Sequence, residues 1–423
     1  MALTEKGYKP RLIDSKITRY MKLFGALSVE GPKWCGKTWT ALNHVNSVVY
    51  ILDPENEYAN REAARLNPAA VLAGRKPVLV DEWQEVPGIW DAVRFASDRI
   101  KKKGNFILTG SVTPREGSFI HSGAGRIARI RMRTMSLYES GNSSGDVSFS
   151  GMFKNRKIST GASGLTQKKL IDLVIRGGWP ENINAAKKDA GILPEQYNLA
   201  LTGTDIEYAG NVKRNPELIL HLLAAVARTN ATPALQNTIV ADVQARFGDV
   251  SRQTVADYLS VLMRLYVIEE IPQWFPELRD KLRLRKTPKR MLADPSIAVS
   301  ALKASPNDLA RDPRTLGGIF ENLCLRDLLI YSEVSGAKLS HYHDATGLEI
   351  DAIAELGTQW GGIEIKMGAH RINEGASALI RLRDKLLSKG AKKPAFLCVI
   401  TGGGPFYTRE DGIHVVPIDC LKP

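Results

Sequence analysis

Cysteine is scarce in this chain, and Cys35, Cys324, Cys398 and Cys420 stand far apart, with no C-x-x-C pair among them. That excludes a disulfide framework and a cysteine zinc site, and it points to reduced thiols. Long apolar runs are missing too: none approaches the roughly 20 residues needed to span a bilayer. The first eleven residues are polar and charged and hold no apolar core segment, so no secretory leader is expected. The expectation is therefore a cytoplasmic protein with no membrane partner. Acid is in deficit: 45 Asp and Glu face 58 Lys and Arg, a formal net charge of +13. So large an excess argues for a polyanionic partner, most simply nucleic acid, against the plainer reading of a generally basic surface.

The chain does have length and apolar content. Its 423 residues, 43% of them hydrophobic, suffice for two or three domains with their own cores. The stretch that organises them is E-G-P-K-W-C-G-K-T-W-T, residues 30–40. Gly31, Gly36, Lys37 and Thr38 fit G-x-x-x-x-G-K-[ST], with a strand-like run before (26–29) and a helix-compatible run after (39–45). Such a loop curls backbone N–H groups around a phosphate, and the following helix N-terminus adds its positive dipole end. The candidate ATP-binding segment is Gly31, Pro32, Lys33, Trp34, Cys35, Gly36, Lys37, Thr38 and Trp39. Lys37 suits the β- and γ-phosphates, and the Thr38 hydroxyl suits one corner of a Mg²⁺ shell.

Further runs complete an α/β pattern. Residues 11–25 read as an amphipathic helix, 48–52 as a strand, and 77–81 (P-V-L-V-D) as a buried parallel strand that ends in acid. Asp81 is the candidate Mg²⁺ ligand, and Glu82 the candidate that polarises the attacking water. Residues 83–94 look helical. Residues 105–108 read as a strand ending in Thr109-Gly110-Ser111, where Ser111 or Thr109 is placed to sense the γ-phosphate. In S-G-A-G-R-I-A-R-I-R-M-R (122–133) the alternating Arg129, Arg131 and Arg133 suit a solvated strand face. Arg126 is a candidate to act on a phosphate in a neighbouring subunit, if the chain forms a homo-oligomer.

Together, G-P-K-W-C-G-K-T, V-L-V-D-E-W-Q-E-V-P, L-T-G-S and S-G-A-G-R resemble a bacterial and archaeal AAA+-type ATPase family. In that family the ATPase module is joined to a C-terminal domain of undetermined function. The resemblance covers most of the chain and implies a RecA/AAA+-like parallel-sheet domain. Lys33-Trp34-Cys35 depart from the small residues and arginine more usual inside that loop; the phosphate grip uses backbone groups, so ATP binding is still implied.

The expected organisation is an ATPase domain (1–160), a helical bridge (161–215), a winged-helix domain (216–290) and a C-terminal α/β domain (291–423). The Ser- and Gly-rich residues 139–164 read as a flexible linker. Helices are expected at 165–175, 216–228 and 235–247, then Ser251 caps another whose apolar stripe runs through Val255, Tyr258, Leu259, Leu262 and Leu265. A strand at 267–271 completes the order of a winged helix-turn-helix. Arg252, Gln253 and Asp257 would lie on its exposed face, for contact with DNA or as part of a plain packing module. The run R-D-K-L-R-L-R-K-T-P-K-R (279–290) suits a phosphate backbone or a solvated basic hairpin.

In the last third, residues 317–331 read as a helix with Glu321 near its start. A strand at 338–343, a strand L-E-I-D-A-I-A-E at 348–355, a turn at Gly361-Gly362 and I-E-I-K at 363–366 follow. The order of helix Glu, hairpin Asp and E-x-K resembles the PD-(D/E)XK nuclease superfamily, with Ile350 where its proline is expected. The resemblance implies Mg²⁺ held by Asp351, Glu364 and Glu321, with Lys366 polarising water. An inherited fold that no longer cuts is the alternative. The leading expectation is an ATPase acting on DNA, with ATP turnover gating the nuclease; the other is an ATP-driven switch that binds nucleic acid or a protein and never cuts.

Overall fold

The computed structural model describes residues 3–55, 57–113, 120–154, 156, 158–205, 215–230, 236–276 and 288–423. The chain forms two compact units: residues 1–134, 204–214 and 257–267, and residues 135–203, 215–256 and 268–423.

The first unit is built on five short strands, β1 (Ala26–Glu30), β2 (Ser47–Tyr50), β3 (Val78–Asp81), β4 (Phe106–Gly110) and β5 (Ile127–Arg131). All neighbours are parallel, in the order β2-β3-β4-β1-β5. Its helices are α1 (Asp14–Met21), α2 (Lys37–Leu42), α3 (Ala59–Leu66) and α4 (Gly88–Arg99). The strands are apolar on both faces because each face has its own core. Ala26, Val78, Val80, Phe106 and Leu108 pack with Trp90 and Val93 of α4. The alternate residues, Leu27, Val29, Leu79 and Ile107, pack with Ile13, Ile17 and Leu42. Truncating one such residue to alanine costs about 2–5 kcal/mol. The expected helix at 83–94 is broken instead into a 3₁₀ turn, Trp83–Glu85, and α4, since Pro87 cannot continue a helix begun before it.

In the second unit the chain continues with β6 (Val147–Ser148), α5 (Phe149–Phe153), β7 (Gly161–Ser163), α6 (Gln167–Arg176) and α7 (Ile192–Ala200). The expected flexible linker is thus ordered: β6 pairs with β16 (Leu421–Lys422) and β7 with β14 (Gly404–Thr408). Its apolar residues explain this, for Phe149 and Phe153 stack edge-on against Phe396. Helices Pro216–Arg228, Gln236–Phe247 and Arg252–Arg264, the last of which belongs to the first unit from Asp257 on, lie where the sequence puts them, and Ser251 Oγ accepts the Thr254 N–H at 3.0 Å as a cap. A two-stranded antiparallel sheet follows, β8 (Ile268–Ile271) with β9 (Lys289–Leu292). Residues 279–287 of the basic run lie outside the described residues; Lys289 and Arg290 belong to β9.

The principal sheet of this unit comprises β10 (Lys338–His343), β11 (Glu349–Leu356), β12 (Gln359–Ile365), β13 (Phe396–Thr401) and β15 (His414–Pro417) with β14 and β7. The order is β10-β11-β12-β13-β15-β14-β7. Gly361 and Gly362 do not form the expected turn; they lie inside β12, and the turn falls at Gly357, whose φ is +61°. A Cβ on Gly361 would stand 2.3 Å from the Phe396 ring, so the glycine admits that close approach. Helix Ile372–Ser388 covers one face, packing Leu379 and Leu382 against Ile353 and Val399.

Helix Pro313–Ser335 carries Glu321. It is anchored by a buried ion triad: Arg326 Nη1 donates to Asp294 Oδ2 at 3.1 Å, and Nη2 to Asp327 Oδ1 at 2.7 Å. The segment R-G-G-W-P, residues 176–180, packs here. Gly178 N donates to Asp294 Oδ2, Trp179 Nε1 donates to Ser296 Oγ, and a Cβ on Gly178 would stand 2.2 Å from the Met135 carbonyl.

Candidate functional site

The topology of the first unit brings the candidate phosphate-loop residues together. Because β4 lies between β1 and β3, the loop after β1, the acid ending β3 and the hydroxyls ending β4 converge at the carboxyl ends of the parallel strands. Glu30 is paired with Gly110, and Asp81 with Thr109. The loop closes tightly: a Cβ on Gly31 would stand 2.2 Å from the Met132 carbonyl. Gly36 takes φ +96° at the start of α2, and Trp34 takes φ +63°, an uncommon conformation for an indole residue. Behind the loop the buried Arg11 donates from Nη1 to the Cys35 carbonyl and from Nη2 to the Arg133 carbonyl, both at 2.9 Å. Cys35 is itself buried.

Lys37 is buried and donates from Nζ to the Pro32 carbonyl at 2.9 Å. Thr38 Oγ1 donates to Asp81 Oδ1 at 2.7 Å, and Thr109 Oγ1 to the same oxygen at 2.5 Å. Burial raises the Asp81 carboxyl above its ordinary value, against the pull of these two hydroxyls. A hydroxyl and a carboxylate side by side are oxygen donors suited to Mg²⁺. Glu82 follows in left-handed backbone, φ +55°, half-buried, and its carboxylate is held by Ser111 Oγ at 3.0 Å and by Gln84 Nε2.

Three residues beside this site were not singled out by sequence. Arg11 sits in a charged N-terminal stretch with nothing to mark it. Gln84 lies two residues past Glu82, inside the V-L-V-D-E-W-Q-E-V-P stretch that carries the family resemblance, with no role assigned to it. Tyr266 takes φ +61°; its hydroxyl donates to Glu30 Oε2 and accepts from Thr113 Oγ1, both at 2.8 Å, and Arg131 lies over its ring. Arg126 is anchored within its own chain, with Nε on Asp98 Oδ1 at 2.5 Å.

The second unit brings the other four expected residues together. Lys366 Nζ stands 2.5 Å from Glu364 Oε2 and 3.6 Å from Asp351 Oδ2, and the Ile365 N–H donates to that same Asp351 oxygen at 2.8 Å. Glu321 joins from mid-helix, not from near the helix start, since the helix begins at Pro313. A fifth residue is present that sequence assigned to a basic surface. Lys289 is fully buried, its Nζ 2.6 Å from Glu321 Oε1, 3.5 Å from Asp351 Oδ1 and 3.8 Å from Glu349 Oε1. Burial opposes its charge, yet these carboxylates outweigh burial and hold the ammonium above its ordinary value. Burial pushes the Glu321 and Glu364 carboxyls up. Among the described residues no group of three His, Cys, Asp or Glu is arranged to hold a metal ion. The expected Mg²⁺ set of Asp351, Glu364 and Glu321 is thus assembled but does not fit a divalent cation as placed, because ammonium groups stand between its oxygens.

The fold of the first unit is that of a P-loop domain, and the family match supports an AAA-type ATPase. Residues 24–141 match the family described as an AAA domain. Residues 167–308 and 316–421 match two domains of unknown function, DUF8612 and DUF4143. The chain is 23% identical over 361 residues to the uncharacterized protein Rv2008c of Mycobacterium tuberculosis, covering 83% of this chain and 72% of that one. The uncharacterized protein Mb2031c of Mycobacterium bovis matches to the same extent. Among solved structures, the Walker-type ATPase PABY2304 of Pyrococcus abyssi is 13% identical over 71% of this chain and 97% of that one, with a TM-score of 0.43. That superposition is too loose to define the fold. No helix among the described residues is long and apolar enough to cross a membrane.

Proposed function

We propose that the chain is an ATP-hydrolysing switch that acts on DNA without cutting it. The observation that carries the ATPase reading is the shared Asp81 oxygen, which links the P-loop helix through Thr38 and the sensing strand through Thr109. The loop amides bind the phosphates, and Lys37 exchanges the Pro32 carbonyl for phosphate oxygen. Thr38 and Asp81 would hold Mg²⁺, which when bound neutralises phosphate charge. Glu82 takes up or orients the proton of the attacking water, and Ser111 and Gln84 hold its carboxylate for that task.

The net charge of +13 supports DNA as the partner, as do the exposed Arg252 and Gln253 at the start of a capped helix that precedes the β8–β9 hairpin, the order of a winged helix. The lysine-filled acidic cluster favours a second unit that does not cleave. The test is ATP turnover by the full chain with and without duplex DNA, beside the integrity of supercoiled DNA in Mg²⁺. DNA-stimulated turnover with intact DNA supports the reading; turnover indifferent to DNA, or nicked DNA, contradicts it.

A further inference from the structure

A carboxylate cluster in a protein interior must be neutralised, and the second unit has two means of doing so. Glu321, Glu349, Asp351 and Glu364 stand within 4 Å of one or both of two ammonium groups, Lys289 and Lys366. Lys366 comes from the strand that also supplies Glu364. Lys289 comes from elsewhere: it opens β9, where its backbone is paired with Ile271 of β8. Its side chain is 1% exposed, whereas those of Glu321 and Glu349 are 19% and 39% exposed. The ammonium therefore lies at the bottom of the cluster with carboxylates between it and solvent. It is a permanent part of the fold, not a surface side chain that happens to fall there.

We propose that Lys289 is a built-in cation that takes the place of a divalent metal and keeps the cluster metal-free. Mg²⁺ and Mn²⁺ need several oxygens at roughly 2.0–2.2 Å around one point. Here one Glu321 oxygen and one Asp351 oxygen already face Nζ, and the other Asp351 oxygen takes the Ile365 N–H and faces Lys366. A metal entering among them would sit against a buried ammonium. Removing the Lys289 charge leaves four carboxylates facing one lysine, the imbalance a divalent cation relieves. Lys289→Gln therefore creates the metal site that the wild-type chain lacks. This extends the non-cleaving half of the proposed function, but its test reads metal uptake and not DNA cleavage, so the two fail separately.

The experiment titrates Mn²⁺ into nucleotide-free, full-length protein and reads free Mn²⁺ by electron paramagnetic resonance. Wild type and Lys289→Arg show no uptake that Asp351→Asn removes. Lys289→Gln binds Mn²⁺ at least about tenfold more tightly than wild type, and adding Asp351→Asn abolishes the gain. Wild-type uptake that Asp351→Asn removes overturns the proposal, and so does a folded Lys289→Gln that takes up none. If Lys289→Gln does not fold in EDTA, its melting is followed in Mn²⁺. A cooperative transition restored by Mn²⁺ supports the exchange of ammonium for metal; no transition in either condition overturns it.

Discussion

Thr38 and Asp81 are joined by a hydrogen bond of 2.7 Å, from the hydroxyl that opens the P-loop helix to the carboxylate that ends β3. Thr109 donates to the same carboxylate oxygen from β4. One acid thus links the loop, β3 and β4. Thr38→Ala removes a hydrogen bond to a charged group, worth about 1.5–3 kcal/mol. Carried into the transition state, that is about 10- to 100-fold in Mg²⁺-dependent ATP turnover. Steady-state phosphate release measures it, and unchanged turnover would detach Thr38 from the site.

Ser111 holds Glu82 through a single hydroxyl at 3.0 Å. Ser111→Ala lets the carboxylate wander while the phosphate grip stays intact. The expected result is kcat lowered about tenfold with KM for ATP little changed. A raised KM at unchanged kcat would instead assign Ser111 to nucleotide binding.

Arg326 is fully buried between Asp294 and Asp327. Arg326→Met leaves two buried carboxylates without their cation, a loss of about 3–5 kcal/mol. Urea unfolding measures it, and a loss below about 1 kcal/mol would mean the triad does not anchor the Glu321 helix.

Asp344 has the opposite balance to Asp81, Glu321 and Glu364. Burial raises its carboxyl, but hydrogen bonds from Lys385 at 2.7 Å, Thr346 and Tyr342 outweigh burial and hold it below its ordinary value. A carboxyl depressed in the folded state stabilises above its unfolded pKa, about 3.9, and that contribution fades as pH falls below it. Wild type should therefore outlast Asp344→Asn at neutral pH in thermal melts, with the gap closing in acid. A gap that widens in acid would reverse the sign.

DNA binding that follows the phosphate backbone should weaken steeply with salt, as a linear fall of log affinity against log salt. Fluorescence anisotropy with labelled duplex measures the slope. A flat response would remove the backbone-tracking surface from the account.

Strands β1 to β4 were legible because each is short, largely apolar and punctuated, β5 because its arginines alternate, and the P-loop because its glycines fall at the spacing such a loop needs. The candidates Lys37, Thr38, Asp81, Glu82 and Ser111 lie in that loop or at the ends of those strands, where the structure brings them together. What sequence hid was tertiary. The Ser/Gly-rich stretch looked like linker, since two- and three-residue strands such as β6 and β7 give no periodic signal. Gly361-Gly362 looked like a turn, since the Phe396 ring that demands a glycine at 361 lies 35 positions further on. Lys289 looked like part of a basic run. Its alternation with the buried Met291 was the available sign that it points inward, but a lysine is assigned to solvent unless its partners are known, and those partners lie on other elements.

The measurement that tests the central claim most directly is ATP binding and turnover by full-length wild type, Glu82→Gln and Lys37→Ala in Mg²⁺. The account predicts that wild type hydrolyses ATP. It predicts that Glu82→Gln binds ATP with near-normal affinity but turns it over about 10²–10⁴-fold more slowly, and that Lys37→Ala loses binding. Wild-type turnover in Glu82→Gln, or normal nucleotide binding in Lys37→Ala, would contradict it.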